Sequence, residues 1–413
     1  MQRRHISIIG AGLGGLCLAQ GLKRAGIAFD VYERDPTPAS RTQGYRLRID
    51  ADGQDALARC LPANLYALFR QSCSATRNIQ FLDCDLEPTR GRPATSWRTS
   101  EIDHDPQPIP CDLSANRQTL REILLSGIEE RVHFGKTFRQ FEIVDEAAVH
   151  LQFEDGSHRN SSLLVGADGV HSMVRQQLVP TAQPVDTGAL CIYGKTVATP
   201  ELKEIAGATL CTGTSVIFAN GFATILDPIL FPEPLPAIAA RLAPACRLSP
   251  VDDYLYWAFI GPRARLGISA STLPSAHHLM ALIKGTVRHW HPRLRTLFAQ
   301  SDAEALAIMP VRSSPPTIAT WRRGPVTLLG DAIHTMSPAG GVGANTALRD
   351  AAALADQAST VQDLPQAVSR YESAMRKWAE TAIRASENGA HRLFSEHHVQ
   401  QPRPTQNRPR LNA

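Results

Sequence analysis

What this chain lacks narrows it first. Its eight cysteines form no C-x-x-C or C-x4-C spacing, so neither a zinc knuckle nor a redox disulfide pair is expected. Reduced thiols in a cytoplasmic compartment are the expectation. No histidines stand at metal-ligand spacing; His277–His278 and His397–His398 are adjacent pairs, and no metal is assigned. No continuous apolar window reaches the roughly 18 residues that a transmembrane helix needs. The opening "MQRRHISIIGAGLGGLCLAQ" places basic residues before an apolar run but has no small-x-small cleavage site, so it is not read as a signal peptide. Excess charge is missing too. A net charge of +4 over 413 residues provides no electrostatic case for a nucleic-acid partner. The basic, proline-bearing run "QPRPTQNRPRLNA" is expected to belong to a disordered tail, residues 396–413.

What is present is an ordinary globular composition, 43% hydrophobic and 20% charged, which excludes disordered and fibrous classes. The length suggests two or three units at about 150 residues each. "HISII" ends in glycines, and "LCLAQGLKRAG" then spaces apolar residues helically up to Gly26. With "AFDVYERD" as the next strand, the opening reads as a βαβ unit, which calls for a parallel sheet. Residues 83–111 are crowded with Pro, Arg, Asp and Ser and read as a loop excursion, after which "NRQTLREILLSGI" resumes a helix. From 184 to 265 the chain is β-rich, with "ALCIYGKTV", "TSVIFANGFATILDP" and "DDYLYWAFIG" as strands, the pattern of an inserted second domain. Residues 276–299 are expected to be helical, "VTLLGD" a buried strand, and the stretch from Leu364 to about Arg392 one long amphipathic helix.

Three motifs carry chemistry. The first, Gly10-Ala11-Gly12-Leu13-Gly14-Gly15, matches G-x-G-x-x-G between strand and helix. Glycine there permits a tight turn, lets backbone approach a pyrophosphate, and lets the helix pack closely on the strand. Glu33 closes the next strand about 20 residues on, where an acidic side chain accepts from a ribose 2′-OH and repels a 2′-phosphate. The second motif is "LLVGADGVHSMVR", and the third is "LLGDAIHTMSPAGGVGANTALRD".

Together the three motifs resemble the group A flavoprotein monooxygenases. These are single-component FAD-dependent aromatic hydroxylases that include para-hydroxybenzoate hydroxylase and the tetracycline-inactivating monooxygenases. The resemblance rests on Gly10, Gly12 and Gly15 with Glu33, on Asp168-Gly169, and on Gly330-Asp331 with Pro338. It implies FAD as cofactor, with Arg34 on the adenosine side, Arg117 in "NRQTL" contacting FAD, and Asp168 serving both FAD and NAD(P)H. Arg41 and Gly44 match the loop near the isoalloxazine. Asp331 would meet the ribityl or pyrophosphate part, and the backbone of Gly343 and Ala344 would face the flavin's pyrimidine edge. Tyr193 and Tyr256, with Pro338 and Gly341 at the flavin end, would line the substrate pocket. His334 is expected to be a structural neighbour of the flavin loop rather than a base.

The implied fold is α/β: a Rossmann-like FAD-binding domain of the glutathione-reductase type with an inserted β-rich substrate domain and a long C-terminal helix. Residues 1–75, 100–183 and 276–360 would form the first domain, 76–99 and 184–275 the second, and 361–395 the helix. The implied reaction consumes NAD(P)H as a transient co-substrate and O2. It hydroxylates an aromatic or polycyclic small molecule through a flavin C4a-hydroperoxide, which needs no catalytic triad, so no catalytic residue is assigned. A Baeyer–Villiger oxygenation by the same intermediate, or a non-catalytic FAD-binding module, are the alternatives. A flavin halogenase would need W-x-W-x-x-P, which none of the tryptophans supplies, and a disulfide reductase would need a redox cysteine pair after the first helix. The thioredoxin-like C-terminal domain of larger phenol hydroxylases has no counterpart here, so a two-domain enzyme is expected.

Overall fold

The apolar run "HISII" becomes the centre of a parallel sheet because it is buried on both sides. In the computed structural model, which describes residues 4–40, 45–75, 79–89, 111–269 and 274–394, β1 (His5–Ile9) lies between β11 (Leu163–Gly166) and β2 (Ala28–Glu33). β17 (Val326–Leu328) and β7 (Val132–Phe134) flank them, and every pairing is parallel. Ile6, Ile8, Val31, Leu164, Val165 and Leu328 are fully buried, as expected where both faces of a sheet are covered. Helices α1 (Leu13–Arg24) and α10 (Gly343–Thr360) pack together over this sheet. The antiparallel strands β8 (Phe138–Asp145), β9 (Ala148–Phe153) and β10 (His158–Ser161) join the same core through Phe138, Leu151 and Phe153. So do α2 (Ala51–Cys60), α3 (Ala63–Gln71), α4 (Arg117–Leu125) and α5 (Met173–Leu178). A small sheet of β3 (Leu47–Ile49), β6 (Leu113–Ala115) and β4 (Ser74–Ala75) adjoins them.

The second unit is a six-stranded sheet ordered β16 (Ala307–Ser313), β12 (Val185–Val197), β15 (Tyr254–Pro262), β14 (Phe222–Ile229), β13 (Thr214–Ala219), β5 (Ile79–Leu82). Strand alternation splits its side chains between two faces. Leu190, Ile192, Leu255, Trp257 and Phe259 pack with α8 (Ala276–Thr286), α9 (Pro292–Ala299) and α6 (Pro200–Cys211). Their alternates Cys191, Tyr193, Tyr256, Ala258 and Ile260 occupy the opposite face. Helix α7 (Leu235–Leu242) packs against α3 in the first core. The C-terminal helix α11 (Leu364–Phe394) seats Val368, Tyr371, Met375, Ala379 and Ile383 on that core. Each large apolar side chain so buried contributes roughly 1.5–3 kcal/mol.

Three local expectations change. "TSVIFANGFATILDP" is a hairpin, β13 and β14, turned at Asn220-Gly221, both at positive φ (53° and 72°). Asn-Gly supplies the two left-handed residues that such a turn needs. The helical stretch 276–299 is two helices, broken where His291 caps α9 and Pro292 begins it, since proline removes a backbone donor. Finally, α8, α9 and β16 pack and pair with the six-stranded sheet, although the sequence placed residues from 276 onward with the first domain. The expected tail, 396–413, and Arg41 and Gly44 lie outside the described residues. No helix among the described residues is long and apolar enough to cross a membrane, and none of their side chains cluster as a metal site.

Candidate flavin and substrate site

The glycine loop after β1 is glycine because nothing else fits. A Cβ on Gly15 would stand 2.1 Å from the carbonyl oxygen of Gly10, and one on Gly10 (φ 107°) would stand 2.4 Å from that of Ala167. Gly12 differs: nothing lies within 4 Å of its Cβ position, so its side faces open space. Farther along, Cβ atoms on Gly14 and Gly21 would stand 3.3 Å from the Ala347 carbonyl oxygen and 2.6 Å from the Ala355 Cβ, both on α10, which is why α1 and α10 can touch. Helix α1 starts at Gly12 with no side-chain cap and no acidic residue in its first turn. Helix α10 starts the same way at Val342. By contrast, α2, α4, α5, α6, α8 and α9 are each capped by a side chain, while α3 and α7, also without a side-chain cap, begin after Pro62 and Pro234. Uncapped N–H groups with the positive end of the helix dipole suit an anionic or electron-rich ligand.

Carboxylates are set around these helix ends. Glu33 is buried, and its two oxygens accept from the backbone N–H groups of Ala11 (2.8 Å) and Asp35 (3.0 Å). It thereby braces the glycine loop. Arg34 beside it is exposed. One oxygen of Asp168 accepts from the N–H groups of Met173 (2.8 Å) and Val174 (3.3 Å), while the other is buried with no partner. Desolvation raises the Asp168 pKa. Asp331 is solvent-exposed, yet desolvation by crowding raises its carboxyl pKa too, opposed by the charges of His334 and Arg117. A Cβ on Gly343 would come within 4.0 Å of the Asp331 carboxylate, so the carboxylate faces the uncapped start of α10, and Ala344 follows in the same turn.

The loop between them is held from behind. His334 and Asp350 are fully buried and joined at 2.5 Å, Nε2 to carboxylate, and the same carboxylate accepts from Gly330 N (2.9 Å) and Trp378 Nε1 (2.8 Å). Burial opposes charge on His334, but the charge and hydrogen bond of Asp350, then Asp331, outweigh it and raise the imidazole pKa. From the other side, Arg48 donates to Gly340 O (3.3 Å). Asn345 Nδ2 reaches the carbonyls of Arg48 (3.0 Å) and Gly341 (3.1 Å). Gly341 (φ 61°) and the exposed Pro338 bracket this turn.

Facing the loop is the tyrosine side of the six-stranded sheet. Tyr193 and Tyr256 are only half-buried, yet desolvation raises both hydroxyls, Tyr193 to about 12. Ala339 of the loop packs with Phe81, Val216 and Ala223 of the sheet. Arg117 is exposed at the first turn of α4, and its charge opposes the upward shifts of both Tyr193 and Asp331. Sequence reasoning passed over Asp350, Trp378, Arg48 and Asn345, and also over Arg46, which pairs at 2.5 Å with the buried Asp227. Asn345 offered a signal, standing one helical turn after Gly341; Asp350 and Trp378 offered none.

These features fit FAD: a glycine loop with nothing within 4 Å of the Gly12 Cβ position, an Asp168 oxygen with no partner among the described residues, and a second uncapped helix beside Asp331. Comparisons with known proteins agree. An FAD binding domain family matches residues 284–386, and an NAD(P)-binding Rossmann-like domain family matches residues 8–71. A dual O-methyltransferase/FAD-dependent monooxygenase of Cercospora beticola is 38% identical over 95% of this chain. The chain spans 46% of that relative's length. A crystal structure from Photorhabdus luminescens assigned as an FAD-containing monooxygenase is 31% identical, with 95% of this chain and 98% of that one covered and a TM-score of 0.79. Klebsiella pneumoniae HpxO, solved with FAD and uric acid, shares the fold at 21% identity, with 96% and 90% covered and a TM-score of 0.75.

Proposed function

The chain belongs to the FAD-dependent monooxygenases, and from that membership we propose that it consumes NAD(P)H and O2 to hydroxylate an aromatic or polycyclic small molecule. The observation that carries this reading is the pair of uncapped helix starts, α1 at the glycine loop and α10 beside the Asp331 carboxylate. When bound, FAD supplies the redox and oxygen chemistry. Gly10, Gly12 and Gly15 admit its pyrophosphate to the α1 N-terminus, Glu33 and Arg34 serve the adenosine half, and Asp168 and Arg117 orient the middle. Asp331 accepts from a ribityl hydroxyl, and the N–H groups of Gly343 and Ala344 address the pyrimidine edge. Tyr193 and Tyr256, still neutral hydroxyls at physiological pH because burial raises them, donate to substrate oxygens. Together with Pro338 and Gly341 they exclude water from the reacting ring.

The Cercospora relative joins its monooxygenase to an O-methyltransferase. That pairing supports a polyhydroxylated aromatic substrate, because ring hydroxylation creates the phenol that O-methylation consumes. The test is spectroscopic and analytical. Purified protein should be yellow, and its NAD(P)H oxidation should accelerate with phenolic polycycles to give a product heavier by one oxygen atom. Colourless protein that takes up no FAD overturns the reading, and stimulated oxidation with only hydrogen peroxide as product overturns the choice of substrate.

A further inference from the structure

Helix α11 carries a polar stripe that the flavin site does not use. Ser369, Ser373, Lys377 and Thr381 recur at every fourth position, so they stack along one face. They form one wall of a cavity of about 780 Å³. Its other walls are the first turns of α10 (Val342, Asn345, Thr346 and Arg349) and the start of α2 (Asp50 and Asp52). That volume lies within the 300–1,000 Å³ range of small-molecule sites.

The charges in this cavity do not cancel. Asp52 is engaged by Arg349 at 2.9 Å, and Asp50 caps α2 at Gly53 N (3.1 Å). Arg370 and Lys377 also line it, and neither has an acidic partner among the described residues. They stand seven residues apart, about two turns or ~10 Å along the helix, with the Ser373 hydroxyl between them. Two long cationic side chains at that spacing close around two linked phosphates, and guanidinium and ammonium groups suit phosphate oxygens. Apolar lining from Val342, Ala374, Ala382 and the ring of Trp378 leaves room for more than inorganic phosphate.

The cavity also touches the flavin-end loop indirectly. Arg349 stacks on Trp378 at 4.6 Å. Trp378 Nε1 donates to Asp350, and Asp350 holds His334 and the N–H of Gly330, which precedes Asp331. Interior groups packed and bonded this tightly pass displacement on rather than absorb it.

We propose that this cavity binds a diphosphate-bearing nucleotide, and that its occupancy is transmitted to the Asp331 loop through Trp378 and Asp350. The second half rests on the FAD reading of that loop; the first does not. The experiment is calorimetric titration of the holoprotein with ADP and, separately, NADPH. Wild type is compared with Arg370→Ser/Lys377→Ser and with Trp378→Phe, and melting temperature serves as the fold control. Wild type should bind ADP, and the double variant should bind it at least tenfold more weakly. Trp378→Phe keeps the ring under Arg349 but deletes the N–H donor, so it should bind ADP within a few-fold of wild type while losing the ADP-induced change in flavin fluorescence. A raised KM for NADPH in the double variant identifies the diphosphate as the dinucleotide's own. An unchanged KM with ADP binding lost identifies a separate effector, and both outcomes support the site. No heat with either ligand at millimolar concentration in wild type, or undiminished binding by the double variant, overturns it. An undiminished flavin response in Trp378→Phe overturns the coupling. Colourless protein that still binds ADP would reject the FAD reading and leave the cavity assignment standing.

Discussion

The glycine loop after β1 and the glycine loop before α10 each open a helix without a side-chain cap, but different forces hold them. In the first, backbone presses on backbone: Gly10, Gly15 and Ala167 are so close that no side chain fits, and one carboxylate, Glu33, ties the turn to its own βαβ unit. In the second, the backbone has more room, and a network from other elements fixes it: His334 and Asp350, then Trp378 on α11 and Arg48 in β3. A loop held by contacts within one motif is legible locally. A loop held by partners from distant segments is not.

The comparison can be broken at four points, taken in descending size. Gly15→Ala should have the largest effect, because a clash of a Cβ with a carbonyl oxygen at 2.1 Å cannot be relieved by a rotamer change. A loss of about 3–5 kcal/mol in denaturant unfolding, with loss of FAD, is expected. Its counterpart Gly12→Ala meets nothing within 4 Å and should unfold like wild type while retaining less FAD; a destabilised Gly12→Ala protein would show that the opening is not reserved for ligand.

Next comes His334→Gln, which leaves the fully buried Asp350 without its cation and should cost roughly 3–5 kcal/mol. The sign of the pH dependence follows from the raised imidazole pKa. A group raised on folding stabilises fully below its unfolded value, near 6.5, and loses that contribution as pH climbs through the higher folded value. The difference in stability between wild type and His334→Gln should therefore shrink with rising pH. A gap that widens with pH would contradict the ion pair.

Asp331→Ala touches the second loop at its exposed, desolvated carboxyl. Unfolding should change by about 0.5 kcal/mol or less, while FAD affinity falls about tenfold, equivalent to about 1.4 kcal/mol. Full flavin content after dialysis would remove Asp331 from the cofactor site. The smallest effect is expected for Tyr193→Phe, whose hydroxyl has no hydrogen-bond partner among the described residues. Stability should hold, and KM for substrate should rise several-fold, the worth of one hydrogen bond at about 0.5–1.5 kcal/mol. An unchanged KM would move the substrate off that side of the sheet.

Much of the dinucleotide half could be read directly. "HISIIGAGLGG" carries its strand, turn and helix within eleven residues, and Glu33 follows at the distance that motif requires. The β-rich block was recognisable, but its faces were not. "ALCIYGKTV" is apolar on both sides, so alternation alone could not tell that Ile192 packs with helices while Tyr193 lies on the opposite face. The Asn220-Gly221 turn and the His291-Pro292 break had local signals that a strand-and-helix reading overlooked. The division between units had none, because β16 joins the second sheet by pairing with β12 more than a hundred residues earlier.

Sequence alone determined the local chemistry: which glycines a tight turn demands, and that Glu33 closes the strand after the glycine loop. These depend on backbone sterics and on residues a few positions apart. Tertiary structure decided what those pieces face. The burial of His334 against Asp350, the reach of Trp378 from α11, and the packing of Ala339 on Phe81, Val216 and Ala223 of the six-stranded sheet arise from bringing distant segments together. Burial there removes water from charges and hydroxyls, and a string of residue types does not encode that removal.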